Sequence, residues 1–240
     1  MKETFLLSRR IFLRRAGGFT GGLIASAGLL AEAGISPAAS GKKKEEAEVS
    51  PPEDLMREHG ILSRILLVYG EILKRFIDDQ AVPPDVLGSS AGLIRRFIED
   101  YHEKLEEEYL FPRFEKAGKL VDLVKALREQ HAVGRRLTDW IQEGAGSASL
   151  KNRSKGGGLG RNIFLFIAMY RPHKAREDTV LFPAIHSLFS PDEFDKLGDQ
   201  FEEREQALLG ENGFARIVSE VAELEKKLDI YELSRFTPKL

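Results

Sequence analysis

The chain has 240 residues, 42% of them apolar and 31% charged, with a net charge of −2 and no cysteine. That is the composition of a soluble globular protein with one good-sized core, and the charge balance gives no electrostatic case for nucleic acid. Without cysteine there are no disulfides, zinc–thiolate sites or cysteine-held iron–sulfur clusters, so any metal must rest on nitrogen and oxygen, and the five histidines become the residues to follow.

Residues 1–40 read as an export segment. Ser8-Arg9-Arg10-Ile11-Phe12-Leu13 resembles the bacterial twin-arginine signal. A Gly-rich apolar run follows from Ala16 to Ile35, with small residues for cleavage around Ala31-Glu32-Ala33 and Ser36-Pro37-Ala38. The expectation is a periplasmic or extracytoplasmic protein that meets the membrane only through this signal. An uncleaved anchor is the second reading, because the run approaches spanning length. Residues 41–52 form a charged, Pro-ended linker.

Residues 53–189 predict a bundle. A first helix over 53–79 places Leu55, Leu62, Leu66, Tyr69 and Leu73 on one face, with His59 in the stripe. Val82-Pro83-Pro84 breaks it. A second helix over 85–114 is closed by Gly118, and a third over 120–143 puts His131 on the face of Leu123, Leu127 and Gly134. Residues 144–160 read as a flexible connector: Gly156 to Gly160 lack the Gly-Lys-Ser/Thr and the preceding strand of a phosphate loop. A fourth helix over 161–188 has a strongly apolar start, Ile163 to Tyr170, and Pro172 predicts a kink before His173. Residues 190–240 predict a helical extension. Ser190-Pro191-Asp192 starts one helix, and Ile217, Val221, Leu224 and Leu228 mark another. No segment alternates like a strand. The predicted class is all-α, an antiparallel up-and-down four-helix bundle with extra C-terminal helices.

One motif occurs twice. His102-Glu103-Lys104-Leu105-Glu106-Glu107-Glu108-Tyr109-Leu110-Phe111-Pro112 and His173-Lys174-Ala175-Arg176-Glu177-Asp178-Thr179-Val180-Leu181-Phe182-Pro183 both read His, three residues, Glu, an acid, two residues, Leu-Phe-Pro. On a helix, i and i+4 share a face, so each copy aims an imidazole and a carboxylate the same way. The interval from His59 to His102 differs by one residue from that between His131 and His173. The bundle is therefore two similar hairpins, each giving two imidazoles and one carboxylate. Four nitrogens and two carboxylates able to bridge suit two first-row ions, iron first and manganese second. Magnesium or calcium would want more oxygens.

This pattern resembles the hemerythrin-like, His-His-Glu cation-binding family over about residues 54–189. The resemblance implies a non-haem di-iron centre with bridging carboxylates that meets dioxygen or nitric oxide, or that stores or senses iron. By position, His59, His102, His131 and His173 match terminal ligands, and Glu106 and Glu177 match the bridges. The chain departs from the oxygen carriers of the family on the third helix, where they have a second histidine one turn on and this chain has Arg135. The carriers also place the last carboxylate one residue later, at Asp178; Glu177 is preferred because it sits where Glu106 sits relative to Leu-Phe-Pro. The missing histidine leaves a position for water, substrate or a side chain, with Tyr170 and Glu103 as candidates. Three roles follow: an exported binder of dioxygen or a related small ligand, an enzyme reducing peroxide or nitric oxide or oxidising iron, or a metal-stabilised interaction protein docking through its C-terminal helices. His186 reads as a surface residue or one that orients a ligand. Glu107, Glu108 and Asp178 read as partly solvated or as orienting ligands from behind. Phe111, Phe182, Trp140 and Ile141 read as core.

Overall fold

The computed structural model describes residues 49–146 and 158–239. The expected export signal, the linker up to residue 48 and most of the connector before the fourth helix lie outside these described residues.

Helix α1 spans Pro51–Ile77. It starts two residues before the apolar spacing does, because Pro51 and Pro52 sit in the first turn, where a missing N–H costs nothing. The Glu53 carboxylate accepts from the Ser50 backbone N–H at 3.0 Å and from its hydroxyl at 2.7 Å. Helix α2 runs over residues 84–117, with α turns at Pro84–Leu93, Glu103–Leu105 and Phe111–Ala117 and widened π turns at Ile94–His102 and Glu106–Leu110. It ends on Gly118, whose φ of 63° is the left-handed conformation that glycine adopts without strain. Helix α3 spans Val121–Gly144. Helix α4 begins at Gly158–Arg176, with Pro172 inside it, widens at Glu177–Leu181 and closes through Phe182–Ala184 and a 3₁₀ turn at Ile185–Ser187. Helix α5, Pro191–Leu209, opens on a capping box between Ser190 and Glu193. Helix α6 spans Gly213–Lys227.

The described residues contain no strand, and none of their helices is long and apolar enough to cross a membrane. Helix α1 packs on α2, α2 on α3, α3 on α4, and α4 back on α1. The short turns between α1 and α2 and between α2 and α3 make those neighbours antiparallel. The shared core is built from Leu55, Leu62, Tyr69, Phe97, Phe166 and their neighbours, all essentially buried.

The two widened turns that follow the His-x3-Glu pairs have the same cause. Pro112 and Pro183 lack an N–H, and their rings exclude the carbonyl four residues back. The ladder opens instead: the Phe111 N–H bonds to the Glu106 carbonyl and the Phe182 N–H to the Glu177 carbonyl, each five residues back. The helices continue past the prolines rather than stopping.

The C-terminal stripe is covered by the bundle. Ile217, Val221, Leu224 and Leu228 are buried, and α6 packs on α1 and α2. A two-pronged pair fixes it: Arg64 donates from Nε to Glu225 Oε1 at 2.9 Å and from Nη2 to Oε2 at 2.5 Å. One apolar expectation changes. Ile141 is buried, but Trp140 is 51% exposed, because Ile141 continues the buried α3 stripe of Leu127, His131, Gly134 and Thr138 and Trp140 falls outside it. Phe164 in the apolar start of α4 is also exposed.

Candidate metal centre

All four expected histidines and both expected carboxylates are buried in the middle of the bundle. His59 comes from α1, His102 and Glu106 from α2, His131 from α3, and His173 and Glu177 from α4. The Nε2 atoms of His59 and His102 lie 3.1 Å apart, and the rings of His131 and His173 are 5.0 Å apart. Each hairpin thus forms its own pair of imidazoles. Each carboxylate sits between the pairs. Glu177 Oε2 is 3.1 Å from His173 Nε2 and 3.3 Å from His59 Nε2. Glu106 Oε2 is 3.4 Å from His131 Nε2 and 4.0 Å from His102 Nε2.

The outer nitrogens are all tethered. His59 Nδ1 meets Asp178 Oδ1 at 2.6 Å, and His102 Nδ1 meets Glu58 Oε2 at 2.6 Å. His131 Nδ1 meets Glu107 Oε1 at 3.1 Å, and His173 Nδ1 meets Gln130 Oε1 at 2.8 Å. A carboxylate or an amide oxygen can only accept, so Nδ1 is the donor and Nε2 is the nitrogen left to face inward. The phenyl rings of the two Leu-Phe-Pro segments complete the walls. Phe111 stacks on His131 with centroids 5.5 Å apart, and Phe182 stacks on His59 at 5.3 Å.

The electrostatics of this cluster are unresolved by the protein's own donors. Both oxygens of Glu106, both of Glu177 and the His131 Nε2 are buried without a hydrogen bond. Burial pushes the Glu106 carboxyl well above its usual range, and the charge of Glu177 adds to that. Burial acts on Glu177 too, but His173 and His59 outweigh it and hold its carboxyl low. Burial pulls the His59 imidazole down, yet Asp178 and Glu177 overcome it and raise it to about 9. Burial lowers His131 to about 4, against the pull of Glu107. Two core carboxylates with no donor cost several kcal/mol unless something cationic compensates. Convergent Nε2 atoms and orphaned carboxylate oxygens are the donor set that intermediate first-row ions take, so the residues present fit a metal. His131, His173 and Glu177 alone bring three ligand atoms within 4.8 Å of one another.

The three further candidates are held by other side chains, although Glu103 also lies with Glu107 and His131 in a second group of ligand atoms within 4.8 Å of one another. Asp178 is turned to the outer side of His59. The Tyr170 hydroxyl donates to Glu103 Oε1 at 2.6 Å, and Glu103 Oε2 lies 2.7 Å from Arg135. Arg135 also lies 2.7 Å from Glu107 Oε1. The arginine therefore fills the place of the missing histidine with a cation that binds two carboxylates. Gly134 makes this possible: a Cβ there would lie 2.0 Å from the Tyr170 hydroxyl. His186 stacks on Phe194 at 4.5 Å, away from the cluster.

Sequence reasoning missed Glu58, Gln130 and the role of Gly134. The signal was the repeat itself. Glu58 and Gln130 each precede the first histidine of their hairpin, and Glu107 and Asp178 each follow the bridging position.

The sequence model of the Hemerythrin HHE cation binding domain matches residues 50–185. An uncharacterised protein of Mycobacterium tuberculosis (strain ATCC 25618 / H37Rv) is 47% identical over 195 residues, covering 81% of this chain and 76% of the relative. An uncharacterised protein of Mycobacterium bovis matches to the same extent. No solved structure matches.

Proposed function

We propose, from the premise that the chain belongs to the hemerythrin HHE cation-binding family, that it holds two iron ions between its hairpins and binds dioxygen or a related small ligand there for sensing, scavenging or storage. The observation that carries this is the pairing of four tethered histidines with four carboxylate oxygens that have no other donor. His59 and His102 would hold one ion, His131 and His173 the other, and Glu106 and Glu177 would bridge. When bound, iron supplies the electrons and the open position that a diatomic or peroxide ligand needs.

The chain's own residues do the rest. Hydrogen bonds at Nδ1 fix each ring before an ion arrives, so little ordering entropy remains to oppose binding. Phe111 and Phe182 cover two imidazole faces and keep water from them. Arg135 holds Glu103 and Glu107 away from the ion positions as charge partners. Export through the twin-arginine-like segment at Ser8 to Leu13 belongs to the same reading, because that resemblance implies a protein carried in folded form with its metal in place.

A second reading, an enzyme reducing peroxide or nitric oxide, draws support from the Tyr170–Glu103 hydrogen bond. It keeps an exchangeable proton buried beside the His173 ring, whose centroid is 5.2 Å from that of Tyr170, and such reductions take up protons.

The test is metal content and an optical spectrum of the purified protein, wild type against His102→Ala/His173→Ala, before and after air and peroxide. Two irons per chain in the wild type, lost in the variant, with bands that bleach on reduction and return with oxygen, support the binding reading. Rapid consumption of peroxide or nitric oxide transfers support to the enzyme. Unchanged metal stoichiometry in the variant refutes these ligands.

A further inference from the structure

The two hairpins repeat each other closely, and the exceptions fall on one side. Resting on the two-ion reading, we propose that the ion positions are unequal by construction and that Gln130 is the positioning residue that makes them so. The His59–His102 position takes the first ion tightly. The His131–His173 position takes the second weakly and exchangeably.

Gln130 stands where the other hairpin has Glu58. Both precede the first histidine of their hairpin, and both reach the outer nitrogen of the second, at 2.8 and 2.6 Å. A carboxylate behind an imidazole lends it negative charge and makes Nε2 the better donor; an amide oxygen does so far less.

The other pair of tethers differs in the same sense. Asp178 serves His59 at 2.6 Å, and Lys174 lies 3.9 Å from its other oxygen. Glu107, its counterpart behind His131, is divided among Lys104 at 2.6 Å, Arg135 at 2.7 Å and His131 at 3.1 Å. Arg135 itself has Ser63 as its counterpart, a neutral residue bonded to its own helix. Glu103 adds a negative charge near the second position, but Arg135 and the Tyr170 hydroxyl hold both of its oxygens. The first position is thus backed by two carboxylates, Glu58 with Tyr101 beside it and Asp178 with Lys174 at 3.9 Å. The second is backed by one shared carboxylate, one neutral amide and a permanent guanidinium. A cation is drawn less strongly to the second. Its occupancy would therefore follow the free-ion concentration while the first ion stays in place, which is the behaviour of a sensor of metal supply.

The metal-free full chain is titrated with Mn(II), reading bound metal by equilibrium dialysis and coupling by electron paramagnetic resonance. The expected result is two steps at least about tenfold apart, with an uncoupled six-line Mn(II) signal at half loading. Changing a residue that hydrogen-bonds a metal-holding histidine shifts affinity by about 10–100-fold. Gln130→Glu should strengthen the second step by about that factor and leave the first unchanged, and Glu58→Gln should weaken the first. Both changes are nearly isosteric. If Gln130→Glu fails to fold, Glu58→Gln decides alone: a narrowed gap supports the inference and an unchanged gap overturns it. Two indistinguishable steps in the wild type, or a second step insensitive to Gln130→Glu, overturn the inference while leaving the two-ion reading intact. Saturation below two ions in the wild type overturns that reading as well.

Discussion

Replacing a glycine inside a helix by alanine ordinarily stabilises a protein by about 1 kcal/mol through helix propensity. Gly134 lies in α3, buried, and the sign there should reverse. The added Cβ would meet the Tyr170 hydroxyl oxygen at 2.0 Å and its Cζ at 2.8 Å. Tyr170 is itself fully buried beside His173, so its ring has nowhere free to go. Overpacking of this kind costs about 1–3 kcal/mol. Displacing the hydroxyl also breaks its bond to the Glu103 carboxylate, worth about 1.5–3 kcal/mol for a charged acceptor. The two losses exceed the gain, and Gly134→Ala should lose about 2 kcal/mol or more. For a domain of this size that lowers Tm by at least about 4 °C. Denaturant melts of metal-free protein measure it directly. Adding Tyr170→Phe removes the atom of closest approach, so the double variant should lose less than the two single losses together. A Gly134→Ala protein as stable as the wild type, or more so, would refute the packing of Tyr170 against α3 and with it the fixed Glu103–Arg135 pair.

Three further outcomes are expected. Arg64→Ala should destabilise by about 2 kcal/mol, because it strands Glu225, 6% exposed, without its guanidinium; Arg64→Ala/Glu225→Gln should recover part of the loss, and equal urea midpoints for the two would contradict this. Burial pushes the Glu99 carboxyl up despite Thr138 and Arg95. A raised folded-state pKa means its contribution is fully present below about 4.5 and is lost as pH rises through the folded value, so metal-free Glu99→Gln should show a flatter fall in stability from pH 4.5 upward, and parallel curves would contradict it. Chelation should lower Tm sharply, since a ligand at a thousand times its Kd stabilises by about 4 kcal/mol; a Tm unmoved by chelator and by added iron would count against metal in the core.

The helices were readable because apolar spacing, Gly118 and the Ser190 cap are local signals. The six central residues were readable because the motif repeats. The widened turns were not, since apolar periodicity records which face is buried and not which carbonyl an N–H reaches. Leu-Phe-Pro lies inside the second and fourth helices, and its proline opens a wider turn that carries Phe111 and Phe182 to the imidazoles of the facing hairpins. Glu58 and Gln130 escaped notice because each acts on a histidine more than forty residues away on another helix. Trp140 and Ile141 both read as core, but the buried stripe of α3 passes through Ile141 and leaves Trp140 outside.

The most direct test of the account is anomalous diffraction at the iron edge from crystals of the iron-loaded protein. The account predicts two peaks per chain, one at the Nε2 atoms of His59 and His102 and one at those of His131 and His173, with Glu106 and Glu177 reaching both. A single peak, or density beside Glu103 and Glu107 instead, would contradict it.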